Sequence, residues 1–341
     1  MQILHAPSRR AATFRRFTAG LVCALGTLSA IAPASGKGAA TTPSAAGRSA
    51  GAGLDLLQTL RGASGKLRAA FRTPGESLVP QAPPGLTARY EPEQGAAVES
   101  PELVAPQRPG VYKVALEVGG SGQDVEDLRV ITLVPFAAKK QGQIGSYRLG
   151  QWPYEGRNAP SSAYADPVGF VRVTPENLGL RVSEHFTLGD FLTKDQPAVW
   201  PKYLALDPRL VDKLELVIDE LQHEGYHVEH LAIMSGFRTP LYNQAGGETS
   251  GRGKLSRHMY GDATDVFVDN DRDGWTDDVN GDGRVDIKDA EVVARAVERV
   301  EASHPELVGG VGVYAATRAH GPFTHVDARG RRARWRGSRN G

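Results

Sequence analysis

Cysteine is nearly absent from this chain. The one thiol in 341 residues, Cys23, lies inside an N-terminal apolar run. Once that run is removed, no disulfide, thiol nucleophile or thiolate metal site is possible, so any metal must be held by His, Asp, Glu or carbonyl oxygen. Val22 stands before Cys23 where a lipidation signal carries a small residue, which argues against a lipid anchor. An excess of one charge is lacking too. With 40 Lys and Arg against 39 Asp and Glu, the formal net charge is +1, which gives no global reason to expect nucleic acid as a partner. The apolar run itself, Phe17 to Ile31, contains Gly20, Gly26, Thr18, Thr27 and Ser29 and is marginal as a stable membrane span.

That run follows Arg9, Arg10, Arg15 and Arg16 and precedes Ala32-Pro33-Ala34, a small-x-small cleavage signal. Residues 1–34 therefore read as an export signal, and the expected location is the periplasm or cell envelope, with no stable membrane span after cleavage. The pair Arg15-Arg16 leaves the export route open. Residues 35–109 are rich in Ala, Gly, Pro and Ser and read as a low-complexity linker, with a Leu-bearing piece of helical character around Leu54 to Phe71. From 110 to 180 the pattern alternates, in Val111 to Val118, Leu128 to Val134, Ile144 to Leu149 and Gly169 to Val173, and predicts a small all-β module. Its aromatics, Tyr147, Trp152, Tyr154 and Tyr164, read as core rather than as a sugar-stacking platform.

Residues 183–336 have an α+β pattern, followed by a tail at 337–341. Asp207-Pro208 is a helix start, and Leu210, Leu214, Val217, Ile218 and Leu221 repeat at helical spacing until Gly225. His230 to Met234 is the next strand, and it delivers Ser235-Gly236-Phe237-Arg238-Thr239-Pro240 into a loop. The expected class is thus α+β, with a C-terminal domain of small antiparallel sheet and flanking helices preceded by the β module. His223, His227 and His230 are not aligned by one helix, because Gly225 interrupts it. The arginines at 329, 331, 332, 334, 336 and 339 form a solvated end, or alternatively a patch drawn to an anionic envelope polymer.

Chemistry concentrates in Ser256-Arg257-His258-Met259-Tyr260-Gly261-Asp262-Ala263-Thr264-Asp265 and the distant His325-Val326-Asp327. His258, Asp265 and His325 supply two imidazoles and one carboxylate, enough to hold Zn²⁺ while leaving one position open for water. Asp265 sits in the strand-like run Ala263 to Val268, where a carboxylate on one face can meet a loop histidine. Two neutral histidines and one aspartate leave a single net positive charge on zinc, which acidifies water while still polarising an amide carbonyl.

Taken together, Ser-Gly-Phe-Arg-Thr-Pro with Tyr242-Asn243-Gln244, Ser-x-His-x-x-Gly-x-Ala-x-Asp, Gly310-Val311-Gly312-Val313-Tyr314, His325-Val326-Asp327 and Arg334-Trp335 resemble the zinc D-alanyl-D-alanine peptidases, nearest to their murein endopeptidase branch. The resemblance covers roughly Ser183 to Trp335. It implies an exported zinc peptidase acting on peptide bonds in peptidoglycan, as endopeptidase in preference to carboxypeptidase. The alternative is an inactive zinc-containing peptidoglycan-binding protein on the same fold. By position Arg238 is the family's substrate arginine, a fork for a stem-peptide carboxylate or a developing oxyanion, or else a salt bridge that shapes the loop. Asn243, Gln244 and Ser256 are either substrate contacts and supports of the metal ligands, or loop hydrogen bonds. One departure stands out. The carboxypeptidase branch carries an acidic general base three positions before the last histidine, and here that position is Pro322. Asp327 is the remaining candidate, either activating water or orienting a histidine, with His320 a weaker one.

Between the second and third zinc-type ligands lies Asp278 to Asp289, with oxygens at Asp278, Asn280, Asp282, Asp286 and Asp289, the backbone carbonyl of Arg284, and Gly283 at the sixth position. This is the Ca²⁺-loop pattern of an EF-hand and resembles one dockerin half. Asp269, Asp271, Asp273, Gly274 and Asp277 begin a second, less complete loop, so the insert spans 269–289. Only one flanking helix, about Ile287 to Ser303, is evident, so local calcium stabilisation is expected in preference to a cohesin-type partner.

Overall fold

The Asp207 carboxylate accepts the Arg209 amide and Pro208 occupies the first turn, so helix α1 (Pro208–His223) begins where the sequence places it. It ends before Gly225, whose φ of +87° no β-carbon-bearing residue adopts cheaply. Leu210, Leu214, Val217, Ile218 and Leu221 form its buried stripe. The computed structural model describes residues 56–80, 86–92, 97–100, 102–118, 121–245 and 253–337. The expected export signal, residues 1–34, lies outside the described residues.

The first sheet contains β1 (Ala69–Arg72), β2 (Leu86–Pro92), β3 (Val98–Ser100), β4 (Gly110–Val118) and β5 (Ser121–Thr132), in the order β1-β5-β4-β2-β3. This corrects the expected linker at 35–109: a helical segment at 56–60 and three strands lie within it. In β2 the buried Leu86, Ala88 and Tyr90 alternate with Thr87 and Arg89. That alternation is short and set among Pro, Ala and Gly, and pairing with β4 is what makes it a strand. β1 joins the sheet by parallel pairing to β5, a contact between distant segments that no local pattern announces.

The separate β module at 110–180 is corrected as well. β4 and β5 belong to the first sheet. β9 (Gly169–Val173) pairs instead with β6 (Val134–Pro135) on one side and β10 (Lys202–Leu204) on the other, and β7 (Gln143–Ile144) forms a hairpin with β8 (Tyr147–Arg148). Val111, Ile131, Leu133, Trp152 and Phe170 share one apolar core with α1 and the later strands. Tyr147 and Trp152 are buried, as expected of core aromatics, whereas Tyr154 and Tyr164 are half-buried. Asp212 of α1 accepts the amides of Ala63 and Ser64, tying the N-terminal segment to the C-terminal half.

The C-terminal sheet contains β11 (Leu231–Ser235), β12 (Ala263–Val268), β13 (Gly310–Tyr314), β14 (Phe323–Asp327) and β15 (Ala333–Arg336), in the order β11-β12-β14-β13-β15. A short helix α2 (Pro240–Ala245) follows β11, and α3 (Ile287–Ser303) follows β12. α3 opens on a capping box in which Asp286 and Asp289 each hold the other's backbone amide. One face of the sheet, with Val266, Val268, Val311, Val313 and Val326, packs into the core beside α1 and α3. Strand alternation turns Asp265, His325, Gly312 and Tyr314 to the opposite face.

Candidate metal centre

Cross-strand register sets Ser235 beside Asp265, Asp265 beside His325, His325 beside Gly312, and Gly312 beside Trp335. One transverse row over five strands therefore carries the carboxylate, one imidazole and an indole on the face away from the helices. The other imidazole arrives from the turn Arg257–Tyr260. Gly261 ends this turn at φ +74°, and a β-carbon there would lie 2.3 Å from the Ala205 carbonyl oxygen, so only glycine lets the turn seat against the chain before α1. Arg257 and Asp262 close the turn with a buried ion pair (Nε to Oδ1 3.1 Å), while the guanidinium lies 4.5 Å from the Tyr260 ring and 5.2 Å from that of Tyr164. Burial raises the Asp262 pKa to about 6 against the opposing pull of Arg257. No periodicity in the sequence signals the pairing of Asp262 with Arg257, because the turn between them is set by folding.

His258, Asp265 and His325 are all buried and form a group able to hold a metal ion. His258 Nε2 lies 3.2 Å from His325 Nδ1 and 3.3 Å from Asp265 Oδ1, and His325 Nδ1 lies 2.9 Å from the same oxygen. The outer nitrogens decide the protonation pattern. His258 Nδ1 is 2.7 Å from the Gly236 carbonyl, which only accepts, and His325 Nε2 is 3.2 Å from Asp327 Oδ2. Both protons sit on the outside, so three lone pairs converge with no hydrogen between them. A shared cation satisfies that arrangement. Ligand bonds of about 2.0–2.1 Å give tetrahedral edges of roughly 3.3–3.4 Å, close to the triangle observed, so the residues fit a zinc-sized ion.

Electrostatics agree with a cation site. Burial lowers the His258 pKa and so favours the neutral imidazole a metal needs. Burial opposes the charge on Asp265, yet the pull of the adjoining His258 and His325 imidazoles holds its carboxyl well below the usual range. Burial alone would lower His325, but hydrogen bonds to Asp265 and Asp327 outweigh it and raise it to about 9. Without a metal, His325 thus takes up a proton where the ion would sit.

Arg238 lies in the site. Its Nη2 donates to Asp265 Oδ2 at 2.7 Å and its Nε to Ser235 Oγ at 2.8 Å. The guanidinium thereby takes the outer oxygen of Asp265 and leaves Oδ1 to the two imidazoles. Asn243 is buried, with Nδ2 donating to the Gly253 carbonyl at 3.1 Å, and so supports the loop before His258. Gln244 is exposed, and Ser256 is half-buried with its carbonyl accepting the Met259 amide at 3.2 Å. None of the three is placed against the metal ligands by a hydrogen bond.

Of the two roles expected for Asp327, activating water or orienting a histidine, its position favours the second. It is fully buried on the far side of the His325 ring from Nδ1, where it accepts from His325 Nε2, from the Gly310 amide (2.8 Å) and from the Arg329 guanidinium. These bonds outweigh burial and hold the Asp327 carboxyl far below the usual range. Its role is to fix the His325 tautomer. The Asp327 carbonyl in turn accepts from Lys213 of α1 at 2.8 Å, and Lys213 pairs with Glu301 of α3 at 2.7 Å, both side chains being buried. No sequence pattern signals this support, since a lysine and a glutamate on helices ordinarily face solvent. His320 Nδ1 lies 2.8 Å from the Gly321 carbonyl and its ring meets the Phe323 ring edge-on at 5.0 Å, outside the metal-holding group.

In the acidic insert, Asp278 Oδ1 accepts the amides of Gly281 (2.9 Å) and Asp282 (3.2 Å), and Oδ2 accepts that of Gly283 (2.7 Å). Asp269 likewise accepts the amides of Asp273 and Gly274, at 3.0 and 3.2 Å. The two loops nevertheless differ from expectation in rank. Among the described residues, Asp269, Asp271 and Asp273 bring one oxygen each within 4.8 Å of the others, whereas the carboxylates of Asp278, Asp282, Asp286 and Asp289 form no such group. Asp282 is drawn to Lys288 at 2.8 Å, and Asp289, fully buried, accepts the amides of Val279, Asn280 and Asp286. Asp277 accepts the Asn270 amide at 2.8 Å.

Comparison with known proteins found no matching family model, no matching curated protein and no matching solved structure.

Proposed function

We propose that this protein is an exported zinc peptidase that hydrolyses peptide bonds in peptidoglycan stems or cross-links. The observation that carries this reading is the set of three converging lone pairs on His258, Asp265 and His325, with both outer imidazole nitrogens tied down. When bound, zinc supplies acidified water and a polarised amide carbonyl. The chain's own groups do the rest. His258 and His325 present neutral nitrogens, Asp265 contributes one negative charge, and Arg238 holds the outer oxygen of Asp265 while adding positive charge beside the reacting carbonyl. The motifs from Ser235 to Trp335 support peptidoglycan as the substrate through their resemblance to the zinc D-alanyl-D-alanine peptidases.

The second reading, an inactive zinc-containing peptidoglycan-binding protein, is favoured by one observation: Asp327 is committed to His325 and Arg329, and Pro322 stands where the carboxypeptidase branch has an acid. Digestion of defined muropeptides with and without chelator, analysed by mass, separates the two. Cleavage that stops on chelation and in His258→Ala supports the peptidase. Tight muropeptide binding without products supports the second reading. Calcium at Asp269, Asp271 and Asp273 is proposed as a stabiliser of β12, because Asp269 follows the last residue of that strand.

A further inference from the structure

Beside the cation, peptide hydrolysis gains from a hydrogen-bond donor that meets the carbonyl oxygen as it gains charge. Resting on the peptidase reading, we propose that the Tyr314 hydroxyl is that hydrogen-bond donor.

Tyr314 ends β13, two residues from Gly312, on the sheet face that carries Asp265 and His325. Its ring is held in place: it stacks on Phe323 with centroids 4.5 Å apart and planes 6° from parallel. Gly337 lies against it so closely that a β-carbon would come within 2.2 Å of Cδ1. Trp335 Nε1 donates to the phenol oxygen at 2.8 Å. An indole N–H is a donor only, so the phenol oxygen accepts and its own hydrogen points elsewhere. Accepting that bond polarises the phenol and strengthens it as a donor.

Trp335 is itself fixed relative to the metal ligands. Its ring lies 5.1 Å from the His325 ring and 5.6 Å from the Arg329 guanidinium. It also covers Gly312, where a β-carbon would meet the indole at 2.3 Å. The indole thus fills the row position beside His325 and holds the Tyr314 hydroxyl at its edge. Burial raises the Tyr314 pKa, so the phenol keeps its proton at neutral pH, and the charges of Asp265 and Arg238 both act on it. Arg238, the other donor in the site, already spends Nη2 on Asp265 and Nε on Ser235.

The step balances without proton transfer from Tyr314. Water adds to the carbonyl carbon, forming a C–O bond, and the carbonyl π pair moves to oxygen, which the Tyr314 O–H then hydrogen-bonds. Re-formation of the carbonyl breaks the C–N bond, and the leaving nitrogen takes the proton that the water gives up.

The test compares zinc-loaded wild type, Tyr314→Phe and Trp335→Phe. It measures kcat and KM on a defined muropeptide, zinc content, and calorimetric affinity for a phosphinate isostere of the scissile bond. Tyr314→Phe should lower kcat about 10²–10³-fold with KM nearly unchanged, and weaken the phosphinate in parallel while zinc content stays constant. Trp335→Phe keeps the phenol and should give a smaller loss of the same kind. If Tyr314→Phe fails to hold zinc, Trp335→Phe decides: lower kcat with zinc retained supports the role, and unchanged kcat overturns it. Wild-type kcat and phosphinate affinity in Tyr314→Phe overturn the role of Tyr314 alone. A zinc-loaded wild type that cleaves no muropeptide overturns the peptidase reading and this role with it.

Discussion

Replacing Asp327 with Asn tests whether this residue orients His325 or activates water. Every contact to its carboxylate is a donor: His325 Nε2 and Arg329 on Oδ2, and the Gly310 and Arg329 amides with Arg329 Nε on Oδ1. An asparagine must place its NH₂ against one of these sets, in whichever direction the amide turns. His325 relieves the clash by moving its proton from Nε2 to Nδ1, the nitrogen that faces Asp265 and His258. That tautomer cannot bind a metal. The expected loss is about 10–100-fold in zinc affinity, or roughly 1.4–2.7 kcal/mol. A further loss of about 2 kcal/mol in the stability of the metal-free protein follows from weakened charge-assisted bonds to Arg329. The assay is competition against a chelator of known affinity, followed by urea unfolding of the metal-free form. Wild-type zinc affinity in Asp327→Asn with turnover abolished would refute the reasoning and return Asp327 to the role of base.

Arg238→Lys keeps charge but cannot bridge Ser235 Oγ and Asp265 Oδ2 at once, so zinc retention on dialysis should weaken about tenfold and cleavage should slow; unchanged values of both would make the guanidinium fork irrelevant. For pH, the folded His325 pKa of about 9 lies above the ordinary value of 6.5. Its contribution to the stability of metal-free protein is therefore complete below about pH 6.5 and lost as pH rises through 9, whereas zinc-loaded protein should show no such loss. Melting temperatures of both forms between pH 6 and 9.5 check the sign. Calcium at millimolar concentration should raise the melting temperature, and Asp269→Ala with Asp273→Ala should remove that rise more completely than Asp278→Ala with Asp282→Ala, because only the first set converges. No calcium binding by calorimetry would leave the insert an acidic loop.

The sequence by itself carried whatever depends on local chemistry. Asp207-Pro208 and Gly225 bound α1 because caps and left-handed glycine act within one turn. α3 coincides with the helix that the sequence places at about Ile287 to Ser303, while the reciprocal cap of Asp286 and Asp289 that starts it emerged only with the fold. His258, Asp265 and His325 were legible as a metal group because cysteine is missing and because strand alternation puts the carboxylate on one face. Tertiary structure alone decided the rest. Which nitrogen of each histidine faces inward depends on Gly236 and Asp327, brought up by folding. Arg238 reached Asp265, and Lys213 reached Glu301 and the Asp327 carbonyl, across long stretches of chain. β1 became a strand by pairing with β5, β2 by pairing with β4, and β3 by pairing with β2, rather than by propensity. Periodicity tells which side chains share a face, but it is silent on which distant side chain will be buried against them. In a dry interior each buried donor, acceptor and charge needs a partner, and only the folded chain supplies it.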